Sequence, residues 1–398
     1  MAKKPDKLMF KKPTKKEPLP EASTIREDIL NIINREISTM GKKKITSYLP
    51  TNILPLDLAF STKLKIDGDK RFAVPGRGLP SGQPLCIVGA YQSGKSTMLC
   101  NFLASAQALG GEAVLFNHEA EGITDSLMDA NGVDRDRLIL ASPLTCEETL
   151  EAVETIIKRN VDSSVPIVIG IDSISGMQTM SQEGKTYKDA AQVAHKPLLM
   201  ERFFARNNPY LSMSRNTFLI FTALAKTELK MGFTGPAAPQ DTWHCKNQIN
   251  QYCSFVLKMK RKEMGKDEDT RVIDYVILEA EFLKNKVSND VFRKFEVPFY
   301  VNPGGLMMGL DDTTACIDYL IEKEVLKKVT SQSFEVDGVS MTRNKIRNKM
   351  FQDPDFYKII RGLVVNHYLT ERGFEPVTFD ESTEESSGQE VNENNELA

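Results

Sequence analysis

The chain has 398 residues, 41% of them apolar, and a net charge of −3, which suits one large domain with appendages and a sizeable core. No apolar run nears ~18 residues and the N-terminus has no apolar stretch of signal-peptide length, so neither a membrane span nor an export signal is read and a cytoplasmic protein is expected. The six cysteines show no paired CxxC spacing, which points to reduced thiols. His244, Cys245 and Cys253 lack the remaining partner of a four-ligand zinc site.

The near-neutral total hides polarity. Residues 1–16 hold seven lysines against one aspartate, and residues 377–398 hold seven acids and no base. Neither end reads as core, and the basic arm is an electrostatic pointer to nucleic acid or another acidic partner. A helix is expected from Ile25 to Ile37, where Ile25, Ile29, Ile32, Ile33 and Ile37 recur at helical spacing.

From about residue 50 to 305, short β-rich runs alternate with helical ones. PLCIVGA is followed by a helix through Leu99, Phe102, Leu103 and Ala106, then by AVLFNHE, another helix and RLILAS. PIVIGIDS and NTFLIFTAL each follow a helical segment. This alternation predicts a largely parallel sheet with helices on its faces. Beyond Asn216 the runs CSFVLKMKRK, RVIDYVILEAEFLKNK and FRKFEVPFYV predict an antiparallel extension. Residues 306–372 read as a smaller α/β unit, with a hairpin in SQSFEVDGVSM turning at Asp337 and Gly338.

GAYQSGKST, from Gly89 to Thr97, carries the chemistry. Gly89, Gly94, Lys95 and Ser96 meet GxxxxGK[ST] between a strand and a helix, the context that a phosphate loop requires. Its glycines let backbone N–H groups face phosphate oxygens, and the helix adds its positive dipole end. Gly89, Gln92, Ser93, Gly94, Lys95, Ser96 and Thr97 are the candidate nucleotide contacts. Lys95 reaches the β- and γ-phosphates, while Ser96 with Asp172, at the end of PIVIGIDS, holds Mg²⁺. Hydrolysis of ATP also needs a carboxylate to orient or deprotonate water. Glu119 and Glu121, at the end of AVLFNHEAEG, are both candidates.

Over about 320 residues these motifs resemble the RecA family of recombinases. LPLDLAF with GRGLPSGQPLCIVGA is similar to that family's lead-in strand and turn, IVIGIDSIS to its Walker B strand, and EAEFLKNKVSNDVFRKFEVPFYVNPGG to its later core. The spacing LFNHEAEGIT…NGVD is closest to the T-even phage branch, implying a phage-encoded protein in a host bacterial cytoplasm. The resemblance implies a fold: an α/β phosphate-loop core with a mostly parallel central sheet, an N-terminal helical arm and a small α/β C-terminal domain. The expected boundaries are 1–48 for the arm, 49–305 for the core, 306–376 for the C-terminal domain and 377–398 for the acidic tail.

The resemblance further implies a DNA-dependent ATPase that forms a helical filament on single-stranded DNA and pairs it with homologous duplex DNA, with ATP and Mg²⁺ as cofactors. Further partners are other copies of the chain and single-strand-binding and loading proteins. Lys284 and Lys286 become trans-acting cations at a neighbour's ATP, as an arginine finger is. Two loops, about 177–196 and 226–251, become the DNA contacts, with Lys185, Lys188 and Lys196 in the first and Lys226, Lys230 and Lys246 in the second. Three positions depart from the family pattern. Leu224 stands where a polar γ-phosphate sensor is usual, Leu127 where an adenine-stacking tyrosine is usual, and ungapped alignment puts Ala120, between Glu119 and Glu121, at the catalytic carboxylate. The alternatives are an assembly or mediator protein with little hydrolysis and a ring-shaped replicative helicase.

Overall fold

The computed structural model describes residues 47–67, 70–119, 123–143, 145–183, 195–228, 231–232, 235–236, 240–266, 273–288, 293–300 and 309–372. Contacts divide the chain into Met1–Lys43 and Lys44–Ala398, and the described strands and helices all lie in the second unit. The expected helix Ile25 to Ile37 and the acidic tail lie outside the described residues.

Among the described residues, ten strands form the central sheet: β1 (Leu85–Gly89), β2 (Glu112–Asn117), β3 (Leu138–Ala141), β4 (Ile167–Asp172), β5 (Thr217–Glu228), β6 (Gln240–Trp243), β7 (Phe255–Lys266), β8 (Ile273–Asn285), β9 (Lys294–Tyr300) and β10 (Gly309–Leu310). Their order is β10-β9-β8-β7-β1-β5-β4-β2-β3, with β6 paired to β5. The six strands from β7 to β3 run parallel. From β7 outward through β8, β9 and β10 the pairing is antiparallel, as it is between β6 and β5. The expected parallel core with an antiparallel extension is therefore present.

Strands β1 and β4 are buried along their whole length, as interior parallel strands covered on both faces must be. Alternate residues of β1 feed different cores. Leu85 and Ile87 join Met98, Leu99 and Phe102 of helix α2 (Lys95–Ala108). Cys86 and Val88 join Leu150 and Val153 of α4 (Cys146–Arg159) and Phe203 and Phe204 of α5 (His195–Met213). Between α2 and α4 lies the short α3 (Asp125–Ala130). Helix α4 starts in a capping box, with Glu148 N–H donating to Thr145 Oγ1 at 3.2 Å and Thr145 N–H to Glu148 Oε2 at 3.0 Å; such reciprocity satisfies two otherwise unpaired donors. Among the described residues all six cysteines are free and buried.

LPLDLAF corrects one expectation. It is not a strand but helix α1 (Leu54–Ser61), with a proline in its first turn. Asp57 fixes its start, because Thr51 donates both its N–H and its hydroxyl to Asp57 Oδ1 at 2.7 Å. All eight residues of α1 are buried, so the segment has no polar face to expose a helical period.

A third core joins Leu54 and Leu58 of α1 to the C-terminal unit, made of α7 (Asp312–Glu322), a hairpin, α8 (Arg343–Gln352) and α9 (Pro354–Thr370). Asp312 ties these together, accepting from Leu54 N–H at 2.6 Å, from Tyr357 Oη at 2.9 Å and from Arg361. The hairpin pairs Ser333–Val336 with Val339–Thr342. Asp337 and Gly338 turn it at φ of 51° and 73°, the two positive values that a type I′ hairpin requires.

Candidate nucleotide site

The loop after β1 folds as the motif demands. Gln92 and Gly94 have φ of 55° and 90°, and a Cβ on Gly94 would come within 2.7 Å of Leu278. Helix α2 then starts at Lys95 with no side chain capping its first turn. Its leading N–H groups are left to an anion, which the helix dipole also favours. The buried Ser93 hydroxyl has no hydrogen-bond partner among the described residues, a second donor suited to a phosphate oxygen. Lys95 Nζ donates back across the loop to Ala90 O at 2.8 Å. Burial pulls the Lys95 pKa down, while Asp172 and Glu119 push it up.

Asp172 ends β4, beside this loop. Ser96 Oγ donates to its Oδ2 at 2.8 Å and Thr222 Oγ1 donates to its Oδ1. Burial raises the Asp172 pKa; the bonds from Thr222 and Ser96 oppose the rise, Glu119 adds to it and Lys95 opposes it. One hydroxyl and one carboxylate, both hard oxygens, fit Mg²⁺, which takes few protein ligands beside phosphate and water. Among the described residues no group of three or more His, Cys, Asp or Glu could hold a metal.

Glu119 borders the same cavity, which has a volume of about 560 Å³. Strand β2 ends at Asn117, whose side chain accepts the Glu119 N–H at 3.1 Å. Strand alternation therefore no longer governs Glu119, and its carboxylate accepts from Ser173 Oγ. Ala120 and Glu121 lie outside the described residues. Leu127, Val276, Leu278 and Phe299 give the lining an apolar part, suited to a base. Arg261 also lines the cavity and donates to Gln92 Oε1 at 3.3 Å. Sequence reasoning passed over Arg261 and Ser173. The hydroxyl directly after a strand-end aspartate was the available signal for Ser173.

Lys284 and Lys286 are not brought to this cavity. Lys284 pairs with Val256, and Val256 pairs with Cys86, whereas the loop leaves β1 at Gly89, paired with Met259. The two lysines thus sit toward the opposite end of the sheet, where Lys284 Nζ donates to Asn250 O of α6 (Lys246–Tyr252). Burial first, and then Lys286, push the Lys284 pKa down to about 8.

Of the candidate DNA lysines, Lys185, Lys188 and Lys230 lie outside the described residues. Lys226 is exposed near the end of β5. Lys246 donates to Asp241 O and lies over the Trp243 ring, 4.7 Å from its centroid. Lys196 turns inward and donates to Ile174 O at 3.1 Å. Among the described residues no helix is long and apolar enough to cross a membrane.

Comparison with known proteins points to one family. The family model described as the RecA N-terminal domain matches residues 30–304. Protein RecA of Lactobacillus acidophilus is 25% identical over 371 residues, covering 90% of this chain and 92% of its own. The mitochondrial DNA repair protein recA homolog 3 of Arabidopsis thaliana is 28% identical over 295 residues, covering 73% and 63%. Protein RecA of Nostoc punctiforme is 26% identical over 292 residues, covering 73% and 76%.

Proposed function

The chain belongs to the RecA family, and from that premise we propose that it is a DNA-dependent ATPase that assembles as a helical filament on single-stranded DNA and promotes homologous pairing and strand exchange. Membership places it with proteins of DNA recombination and repair. The observation that carries the finer reading is the convergence of the phosphate loop, with Ser96, and Glu119 on one cavity, and the bond from Ser96 to the buried Asp172 beside it.

Each residue has a task there. Lys95 and the first turn of α2 bind the phosphates of ATP, and the apolar part of the lining with Leu127 and Val276 takes the base. Ser96 and Asp172 would hold Mg²⁺, which when bound neutralises charge on the β- and γ-phosphates. Glu119 accepts a proton from the attacking water and aligns it. Lys284 and Lys286 serve a neighbour's nucleotide, because they lie away from their own, so hydrolysis depends on assembly. Lys185, Lys188, Lys226, Lys230 and Lys246 neutralise DNA phosphates, while base pairing supplies sequence specificity. The LFNHEAEGIT…NGVD spacing supports a place in the T-even phage branch.

Phosphate release from ATP, with and without single-stranded DNA, tests this reading. DNA should stimulate the rate, and Glu119→Gln should lower it by about 10²-fold or more, with Glu121→Gln costing less. Absence of stimulation would contradict it. A second reading, an assembly protein with little hydrolysis, is favoured by one feature: the Glu119 carboxylate is already engaged by Ser173. Turnover no faster than that of Lys95→Ala would select it.

A further inference from the structure

The four residues after Asp172 are gripped from three directions. Ser173 Oγ donates to Glu119. Ile174 N–H donates to Thr222 O of β5 at 3.0 Å, and Ile174 O accepts from Lys196 Nζ at 3.1 Å. Ser175 Oγ accepts from Leu224 N–H at 3.0 Å. Gly176 packs so tightly on the His118 carbonyl that a Cβ would come within 2.6 Å of its oxygen. The segment cannot shift without disturbing residues on both sides of the nucleotide carboxylate.

The anchors stand at informative places. Lys196 is the second residue of α5, directly after 184–194, which carries Lys185 and Lys188. Leu224 lies two residues before Lys226 on β5, the strand that leads into the second lysine-bearing stretch. The side chain of Leu224 has no polar atom, so its backbone N–H is its hydrogen-bonding link to Ser175. Lys196, at the end of the first candidate DNA loop, and Leu224, two residues before the second, therefore each hold one atom of the segment, and the segment's first residue holds Glu119. Desolvation disfavours the charged Lys196 amine, and an inward ammonium needs an acceptor such as the Ile174 carbonyl.

We infer that Ser175 and Lys196 are positioning residues that transmit the state of the two DNA loops through Ser173–Gly176 to Glu119, and that Lys196 acts inward rather than on a DNA phosphate. The inference rests on the DNA-dependent ATPase reading. The two loops and the carboxylate are then linked through one continuous segment, Ser173–Gly176.

The test uses the full chain and compares wild type with Ser175→Ala, Lys196→Met and Lys196→Arg. ATP hydrolysis is read with and without oligo(dT), alongside oligo(dT) affinity as a function of salt. Ser175→Ala and Lys196→Met should each cut the ratio of stimulated to unstimulated rate by about tenfold, with oligo(dT) affinity kept. Lys196→Arg, which can still donate to Ile174 O, should recover part of the ratio. The salt slope of Lys196→Met should match wild type, whereas loss of one phosphate contact would lower it by about 0.7. A lowered slope would overturn the inward role of Lys196. If Lys196→Met fails to fold, Ser175→Ala still decides: undiminished stimulation overturns the inference and leaves the ATPase reading standing. Wild-type protein without stimulation overturns both.

Discussion

The two ends of the central sheet carry opposite chemistry. At one end, β1 and β2 deliver the phosphate loop and Glu119 to one cavity, and β4 places Asp172 against Ser96 beside it. Toward the other, β8 delivers Lys284 and Lys286. From Cys86, in register with Lys284 through Val256, to Gly89, where the loop begins, is three residues, about 10 Å along a strand. The lesson is that a phosphate loop with its carboxylates and a pair of lysines can be built into one fold and still not meet within one chain. On the proposed reading they meet between chains.

The largest effect should come from the loop end. Lys95→Ala should lower hydrolysis by about 10³-fold and weaken ATP binding, because it removes the cation nearest the phosphates. A rate assay and nucleotide titration would read this, and unaltered ATP affinity would break the comparison at its first term. At the other end, Lys286→Ala should lower the DNA-stimulated rate by about 10²-fold with ATP binding to isolated chains retained, as expected of a cation that acts from outside. Loss of ATP binding by isolated Lys286→Ala chains would mean that the lysine acts within its own chain.

The two ends were unequally legible in the sequence. Gly89 to Thr97 could be read because its function is local: spacing, strand and helix all lie within one stretch. The buried strands β1 and β4 were legible because interior parallel strands are apolar without a break. Helix α1 was not, since burial on every side erased its period, and Asp57, its one acid, is buried with it. Lys196 was read as a DNA contact because a lysine in a loop gives no sign of which way it points. Only the Ile174 carbonyl shows that it turns inward. Glu119 became distinct from a strand residue through the Asn117 side chain, a bond that the spacing of AVLFNHE does not announce.

A smaller effect sharpens the lysine end. The Lys284 amine, pushed down to about 8, is charged below that pH and loses its charge above it. DNA-stimulated hydrolysis should fall a few-fold between about pH 8 and pH 9. Lys284→Arg, which keeps its charge, should hold the rate across that interval. The smallest effect on activity, and a control for stability, lies at Asp57. Burial lifts its pKa from 3.8 to about 7, so the folded chain holds a proton that the unfolded chain releases. That contribution is fully present below 3.8 and is lost as pH rises through about 7. Relative to wild type, Asp57→Asn should therefore gain stability as pH rises from about 4 to about 7, by roughly 1.4 kcal/mol per pH unit, and no further above that. Thermal melts would read this, and hydrolysis should stay near wild type.

The most direct measurement mixes two disabled chains. Glu119→Gln lacks the carboxylate and the Lys284→Ala, Lys286→Ala double variant lacks the cations, so each alone should be nearly inactive on single-stranded DNA. Mixed in equal amounts, random neighbours pair an intact carboxylate with intact lysines at about a quarter of interfaces. Recovery of DNA-stimulated hydrolysis toward that fraction is the expected result. A mixture no more active than its parts would contradict a site completed from the opposite end of a neighbour's sheet.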